Sequence, residues 1–345
     1  MEQATHNATL NRPRRAIALI SGGLDSAIAA QLVTQWGIEV IGLHLVSPFG
    51  CTTDAQKVAD HLNIRLVLKE KGNDYLDIVE KPKYGYGRNM NPCIDCRIYM
   101  FELAEQVLLE EKADFIVTGE VVGQRPLSQN KAAISLIEKK SPLIHKILRP
   151  LSGGNLPETL PEERGWIKRE HLLKISGRGR TQQFLLAQQL GISEYASPSG
   201  GCLLTEGAFS DRLRDFFSHP TFATETEKLA QAEMLKLGRH FRISENAKVI
   251  VARTEGECQS VELLWQKSKG ILLQPENFKG PLGIALGNLT ETEKIQAGAI
   301  LARYGKKAEC GPFQIKSHRL GAAEIFTIAE AASDEIINSW RVGIT

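Results

Sequence analysis

The sequence predicts an α/β protein in which a parallel sheet covered on both faces by helices is followed by a smaller α+β domain. Three observations predict this. Short apolar runs alternate with segments of helical spacing from Ala16 to Thr118, a glycine turn joins the first run to the first helical segment, and the alternation loosens after Arg149, where Pro and Gly interrupt it. A chain of 345 residues is longer than one hydrophobic core usually serves, so two domains are expected.

Ala16 to Ile20 reads as a buried strand ending at Ser21-Gly22-Gly23, and Asp25 to Trp36 as a helix stopped by Gly37. Val40 to Leu45 is a second strand, Asp54 to Leu62 a helix and Ile64 to Leu68 a third strand. A loop rich in Lys, Tyr and Gly leads to a helix over Cys96 to Lys112, with Met100, Leu103, Val107 and Leu108 at helical spacing, and then to the strand Asp114 to Thr118. In a parallel sheet ligands gather at the carboxyl ends of strands, where Ser21, His44 and Gly119 are expected. Further helices are expected over Arg169 to Ile175, Thr181 to Leu190 and Phe209 to Phe217, and a glycine-rich turn over Ser197 to Gly201 presents Cys202. Beyond it, Val249 to Ala252 and Gly270 to Leu273 read as strands and Glu291 to Tyr304 as a helix. These readings divide the chain into a polar tail (1–13), a first domain (14–218) and a second domain (219–345).

Composition is that of a globular protein, with 42% hydrophobic and 24% charged residues. No run of eighteen apolar residues occurs and the first thirteen residues are polar, so a cytoplasmic protein with no membrane partner is expected. Six cysteines without a secretion signal then read as metal ligands, reactive thiols or core fillers instead of disulfides. The formal net charge is +2, yet ten Lys and Arg stand against four Glu between Lys139 and Arg180, leaving the remainder net acidic. That segment is either a solvated face or a polyanion-binding patch.

Ser21-Gly22-Gly23-Leu24-Asp25-Ser26 lies where backbone amides and a helix dipole converge on one point, which suits an anion. The lysine of a Walker A loop is missing, so the γ-phosphate clamp of an ordinary kinase is absent. The six residues resemble the SGGxDS signature of PP-loop enzymes, of the adenine nucleotide α-hydrolase-like fold. That resemblance implies that ATP is cleaved between its α- and β-phosphates, that Ser21, Gly22, Gly23 and Ser26 hold phosphate, that Asp25 binds Mg²⁺, and that the second substrate is adenylated.

Asn91-Pro92-Cys93-Ile94-Asp95-Cys96 puts two thiols three residues apart at a helix start, and Cys202 follows Ser199-Gly200-Gly201. Three cysteines can hold a [4Fe-4S] cluster with one iron left open for a sulfur species. A persulfide on Cys202 or Cys96, a redox disulfide, a zinc site short of one ligand, and plain burial are the alternatives. Cys51, Cys258 and Cys310 have no partner at recognisable spacing and read as core fillers.

Thr118-Gly119-Glu120-Val121-Val122-Gly123-Gln124, with Ser128-Gln129 after it, resembles the TGE-x-x-GQ...SQ stretch of tRNA 4-thiouridine synthases of the ThiI type. The glycine loop and Asn91 to Cys96 are also similar to 2-thiouridylases of the MnmA type. The likeness covers roughly residues 14 to 215. It implies an ATP-dependent tRNA sulfurtransferase, with 4-thiouridine at position 8 favoured over 2-thiouridine. Sulfur or amide transfer to a small molecule is the rival reading. Under this resemblance Cys93, Cys96 and Cys202 hold the cluster, with Cys96 and Cys202 also the catalytic thiols. Gly119 and Gln124 line the nucleotide or base pocket, and His44 either borders adenine or is structural. Lys146, Arg149, Arg178 and Arg180 face tRNA, and Ser176 to Arg180 is either a phosphate cradle or a surface loop. Only about a dozen residues precede the loop, where ThiI-type enzymes carry an RNA-binding THUMP domain. The CxxC with a third cysteine is similar to the iron-sulfur branch of these enzymes, so the sulfur donor is inorganic sulfide or a cysteine desulfurase; whether the chain forms a homodimer is open. Leu237 to Arg242 and Lys248 to Arg253 resemble an NFACT-R module, which implies RNA binding with Arg239, His240 and Arg242 near phosphates.

Overall fold

The computed structural model describes residues 12–50, 55–196, 202–306, 311–319 and 321–343. Two compact units make up the chain, one of residues up to Gly87 together with those from Pro92 to 196, the other of Arg88–Asn91 together with those from Cys202 on.

In the first unit the elements run β1 (Arg15–Leu19), α1 (Leu24–Gln35), β2 (Glu39–Val46), α2 (Ala55–His61), β3 (Leu66–Glu70), α3 (Asn73–Glu80), α4 (Cys93–Glu110), β4 (Phe115–Val117), α5 (Lys131–Lys140), β5 (Ile147–Leu148), α6 (Leu160–Glu163) and α7 (Thr181–Gln189). The sheet has the order β3-β2-β1-β4-β5, with every pairing parallel. β1 shows why both faces are covered. Its period of two sends Ala16 and Ala18 into a core with Leu24, Ile28 and Ala187 on one face, while Ile17 and Leu19 join Phe101, Val107 and Ile137 on the other. Because β2 lies on one side of β1 and β4 on the other, the chain reverses direction across the sheet at β1 and β4, the switch point where parallel sheets bind ligands.

The helix expected over Arg169 to Ile175 is only a single 3-10 turn at Arg169–His171. Leu172 and Ile175 are buried against the first core, and the backbone there is extended, with the Leu173 and Ile175 amides donating to the carbonyls of Pro150 and Leu151. Tertiary pairing has overridden the local pattern.

The second unit contains α8 (Gly207–Ser218), α9 (Glu225–Met234), β6 (Arg239–Ser244), β7 (Ala247–Val251), α10 (Glu255–Ser268), β8 (Ile271–Pro275), β9 (Gly283–Gly287), α11 (Glu291–Arg303), β10 (Phe313–Arg319), β11 (Ala322–Ile328), α12 (Asp334–Trp340) and β12 (Arg341–Val342). Its sheet has the order β11-β10-β8-β9-β7-β6-β12, and all the recorded pairings are antiparallel. Phe241, Val249 and Val251 pack on α11 and α12 across one face, and Ile250, Ala252 and Leu272 pack with Met234 and Val261 of α9 and α10 across the other. Among the described residues no helix is long and apolar enough to cross a membrane.

Candidate active site

The glycine loop leaves β1 at Ile20 and enters α1 at Leu24. Gly22 has φ of 76°, a left-handed conformation that costs glycine nothing, and Gly23 is the N-cap with no side chain to occupy the anion position. Ser26 ties the loop down: its Oγ donates to the Gly23 carbonyl at 2.8 Å and accepts from the Ser21 amide at 3.2 Å. His44, near the end of β2, supports the loop from the side, with Nδ1 2.8 Å from the Ile20 carbonyl. A carbonyl only accepts, so Nδ1 carries the proton in this contact and Nε2 is left as an acceptor.

Asp25 and Gln124 meet at the same switch point. The Gln124 amide Nε2 donates to Asp25 Oδ2 at 2.9 Å, while the other carboxylate oxygen, Oδ1, and the Gln124 carbonyl Oε1 are buried with no hydrogen-bond partner. Two buried oxygens without donors form a site that a cation or a protonated donor would satisfy. Gly119 permits this meeting, because a Cβ there would collide with the backbone of Asp25 and Ser26. The Ser176 to Arg180 turn reaches the same loop: Val122 bridges to Ser176, and the Gly177 amide donates to the Val122 carbonyl at 2.8 Å.

Beneath this loop lies a charged group that the sequence does not announce. Glu120 is buried between Arg97 (3.3 Å) and Arg149 (3.0 Å), and Arg149 also reaches Glu138 at 3.0 Å. Burial alone would raise the Glu120 carboxyl, but the two guanidinium charges outweigh it and hold it below the usual carboxylate range. Arg149 is therefore a structural cation, and its expected role against tRNA is corrected; it is 3% exposed because Glu120 and Glu138 neutralise it in the interior. Arg169 is likewise tied to Glu162 at 2.6 Å, whereas Lys139, Lys140 and Arg178 are exposed. Glu120→Ala removes the carboxylate that Arg97 and Arg149 share and leaves the buried Arg149 with Glu138 alone, and equilibrium denaturation is expected to show a loss of about 3 kcal/mol.

Cys93 and Cys96 occupy the first turn of α4, which starts three residues earlier than expected and so brings both thiols onto the helix. The spacing of three places them on one face. Cys96 Sγ lies 3.6 Å from both the Lys71 ammonium and the Tyr75 hydroxyl, and Lys71 is itself buried, 4.4 Å over the Tyr75 ring. An ammonium and a helix N-terminus beside two thiols suit an anionic, sulfur-rich group. Cys202 belongs to the second unit, and among the described residues no three His, Cys, Asp or Glu side chains are gathered closely enough to hold a metal ion. Cys258 is half-buried beside the core of α10, in keeping with a filler. Cys51, Cys310 and the Ser197 to Gly201 turn lie outside the described residues.

In the second unit the expected phosphate contacts are corrected. His240 is 1% exposed, with Nε2 donating to the Leu237 carbonyl at 2.8 Å, and Arg242 holds Asp215 with two bonds of 2.8 and 2.9 Å. Both point to the interior face of β6 opposite Phe241. Arg239, on the Phe241 side, lies 4.6 Å over the Tyr304 ring.

A parallel sheet with a lysine-free glycine loop and a carboxylate at its switch point, one oxygen of it buried, is a PP-loop-like arrangement. More particularly, residues 13–158 match the family described as thiamine biosynthesis protein (ThiI), and residues 238–341 match the NFACT protein RNA binding domain. Apart from Arg88–Asn91, the first match falls within the parallel-sheet unit, and the second falls within the antiparallel one. It is 28% identical over 219 residues to a tRNA-specific 2-thiouridylase MnmA of Marinobacter nauticus, covering 59% of this chain and 53% of the relative. To a probable tRNA sulfurtransferase of Methanocaldococcus jannaschii it is 31% identical over 144 residues, 40% of this chain and 37% of the relative. The chain therefore spans about half or less of these relatives' length. Against a crystal structure of a 4-thiouridine synthetase–RNA complex with bound ATP, the TM-score is 0.34 at 22% identity, covering 52% of this chain and 50% of the other.

Proposed function

We propose that this protein is an ATP-dependent tRNA sulfurtransferase that replaces a uridine carbonyl oxygen with sulfur, forming 4-thiouridine at position 8. The observation that carries the reading is the buried, partnerless Asp25 Oδ1 beside a lysine-free glycine loop, within a segment that matches the ThiI family. Residues 14–218 supply the chemistry and residues 219–345 the RNA-binding module in this reading.

The uridine oxygen is a poor leaving group, and ATP removes that obstacle. The base oxygen attacks the α-phosphorus and pyrophosphate leaves toward the amides of Gly22 and Gly23 and the hydroxyl of Ser21, in a loop whose shape Ser26 fixes through the Gly23 carbonyl. Asp25 is the residue to hold Mg²⁺, which supplies charge neutralisation on the phosphates. Hydrosulfide then attacks the activated carbon, the bond from that carbon to the AMP oxygen breaks, and loss of a proton leaves thiouridine and AMP. Gly119 and Gln124 border the nucleotide, and His44 offers Nε2 as an acceptor toward the base. Cys93, Cys96 and Cys202 are the residues to hold a [4Fe-4S] cluster, which would supply an open iron for sulfur. Inorganic sulfide or a cysteine desulfurase is the donor.

Incubation with ATP, Mg²⁺, sulfide and unmodified tRNA is expected to release pyrophosphate only when tRNA is present, with 4-thiouridine found by mass spectrometry of the digested RNA. Pyrophosphate released without tRNA, in response to a small-molecule acceptor, overturns the reading. A 2-thiouridine product would move the attack to the other carbonyl.

A further inference from the structure

One end of the antiparallel sheet holds a cleft that none of the chemistry above uses. There β7 begins beside the end of β9 (Ala247 opposite Gly287), β8 begins beside β9 (Ile271 opposite Ala285), and β10 ends beside the start of β8 (His318 opposite Leu272). The turn before β7, the segment after β9, the end of α10 and the last residue of β10 therefore converge. With residues 220–223, between α8 and α9, they line a cleft of about 690 Å³, within the roughly 300–1,000 Å³ of small-ligand sites.

Its walls are fixed by buried polar groups. Glu227 of α9, 5% exposed, accepts from the Ala223 amide at 2.8 Å and lies 2.9 Å from Lys269 Nζ, so one carboxylate ties the 220–223 segment to the end of α10. The Thr221 hydroxyl donates to the buried Gln231 at 2.7 Å. Gly287 has φ of 98°, and a Cβ there would collide with the Asn246 carbonyl, so this meeting of β9 with the β6–β7 turn requires glycine.

The side chains left for a ligand are of three kinds. Phe222 is half-buried and packs on Phe216 with ring centroids 5.2 Å apart. Asn246 and Asn288 are exposed, and their carboxamides make no hydrogen bond among the described residues. Arg319 is exposed and has no ion pair among them, whereas Lys269 is engaged by Glu227. A ring to stack on, carboxamides that both donate and accept, and one free guanidinium match a nucleobase carrying one phosphate. A triphosphate would need more cations than this cleft has free.

We infer that the cleft holds one unpaired nucleotide of an RNA strand, with its base against Phe222 and its phosphate at Arg319. The inference rests on the proposed reading of RNA as partner and adds which part of the RNA is taken. A base inside a duplex is already stacked and paired, so the ligand is a single-stranded segment.

The test is ultraviolet cross-linking of the full chain to a short single-stranded oligoribonucleotide, with the modified peptide found by mass spectrometry, beside affinities measured across a salt series. The adduct is expected within residues 220–223 and is expected to be lost with a duplex of the same sequence. Phe222→Leu is expected to weaken single-strand binding roughly tenfold, the contribution of one base stacked on an aromatic ring. Arg319→Gln is expected to reduce the slope of log K against log[salt] by about 0.7, one phosphate of a single strand. Thermal unfolding checks both variants; Arg319 is exposed and unpaired, so its variant serves if Phe222→Leu unfolds. Adducts confined to other peptides, with the parental slope in Arg319→Gln, overturn the assignment of this cleft and leave the RNA reading standing. An adduct at 220–223 formed by adenosine monophosphate but not by the oligonucleotide makes this a free-nucleotide site and overturns the RNA source. A full chain that binds neither the oligonucleotide nor an unmodified tRNA transcript overturns the RNA reading itself, and this inference with it.

Discussion

Asp25→Asn is expected to lower tRNA-dependent pyrophosphate release by about 10²–10³-fold, the loss of roughly 3–4 kcal/mol of transition-state stabilisation. The substitution keeps an oxygen to accept from Gln124 Nε2 and keeps the shape of the first turn, so packing against Gly119 is undisturbed. What it removes is the charge on an oxygen that already lacks a donor in the free protein. A carboxylate kept only for the helix dipole would contribute about 0.3–1 kcal/mol to stability and nothing to turnover. The two roles therefore separate cleanly: a melting shift with unchanged pyrophosphate release identifies Asp25 as a partner of the helix dipole, and lost release at unchanged melting identifies it as the Mg²⁺ ligand.

The part of this site that is legible in the sequence is the part made locally. Strand, glycine turn and helix are consecutive, so Ser21 to Ser26 declares both its fold and its anion-facing amides within six residues. The alternation in β1 similarly announces a sheet buried on both faces. Charges are misread where their partners lie far along the chain. Arg149 is neutralised by Glu120 29 residues away, and Arg242 by Asp215 27 residues away, and nothing in a basic segment marks which of its members will be internal. His240 shows the same limit, since a histidine on a strand next to arginines looks exposed until α8 and α9 cover its face. Lys71 escapes notice because a lone lysine after a strand carries no motif; only the approach of β3 and α4 brings its ammonium to Cys96.

Cys202→Ala, like Cys93→Ala and Cys96→Ala, is expected to abolish thiolation, by more than the 10–100-fold that outer-shell partners of metal sites typically contribute. The reason is chemical, because a sulfur-rich anionic group needs every thiolate that holds it, and the first turn of α4 supplies only two. Protein purified without oxygen is expected to carry about four irons with matching acid-labile sulfide and a broad visible absorbance, all lost or made labile in each variant. Lys71→Met tests the surroundings separately, since it leaves all three thiols in place while removing the ammonium 3.6 Å from Cys96. It should weaken retention of the group without abolishing assembly. Pyrophosphate release divides the two halves of the reaction: the cysteine variants should still activate the base, because the glycine loop and Asp25 are untouched. Colourless, iron-free protein that thiolates tRNA at full rate would sink the cluster and transfer its role to a persulfide on Cys202 or Cys96, whose loss would then stop turnover while variants of Cys93 stayed active.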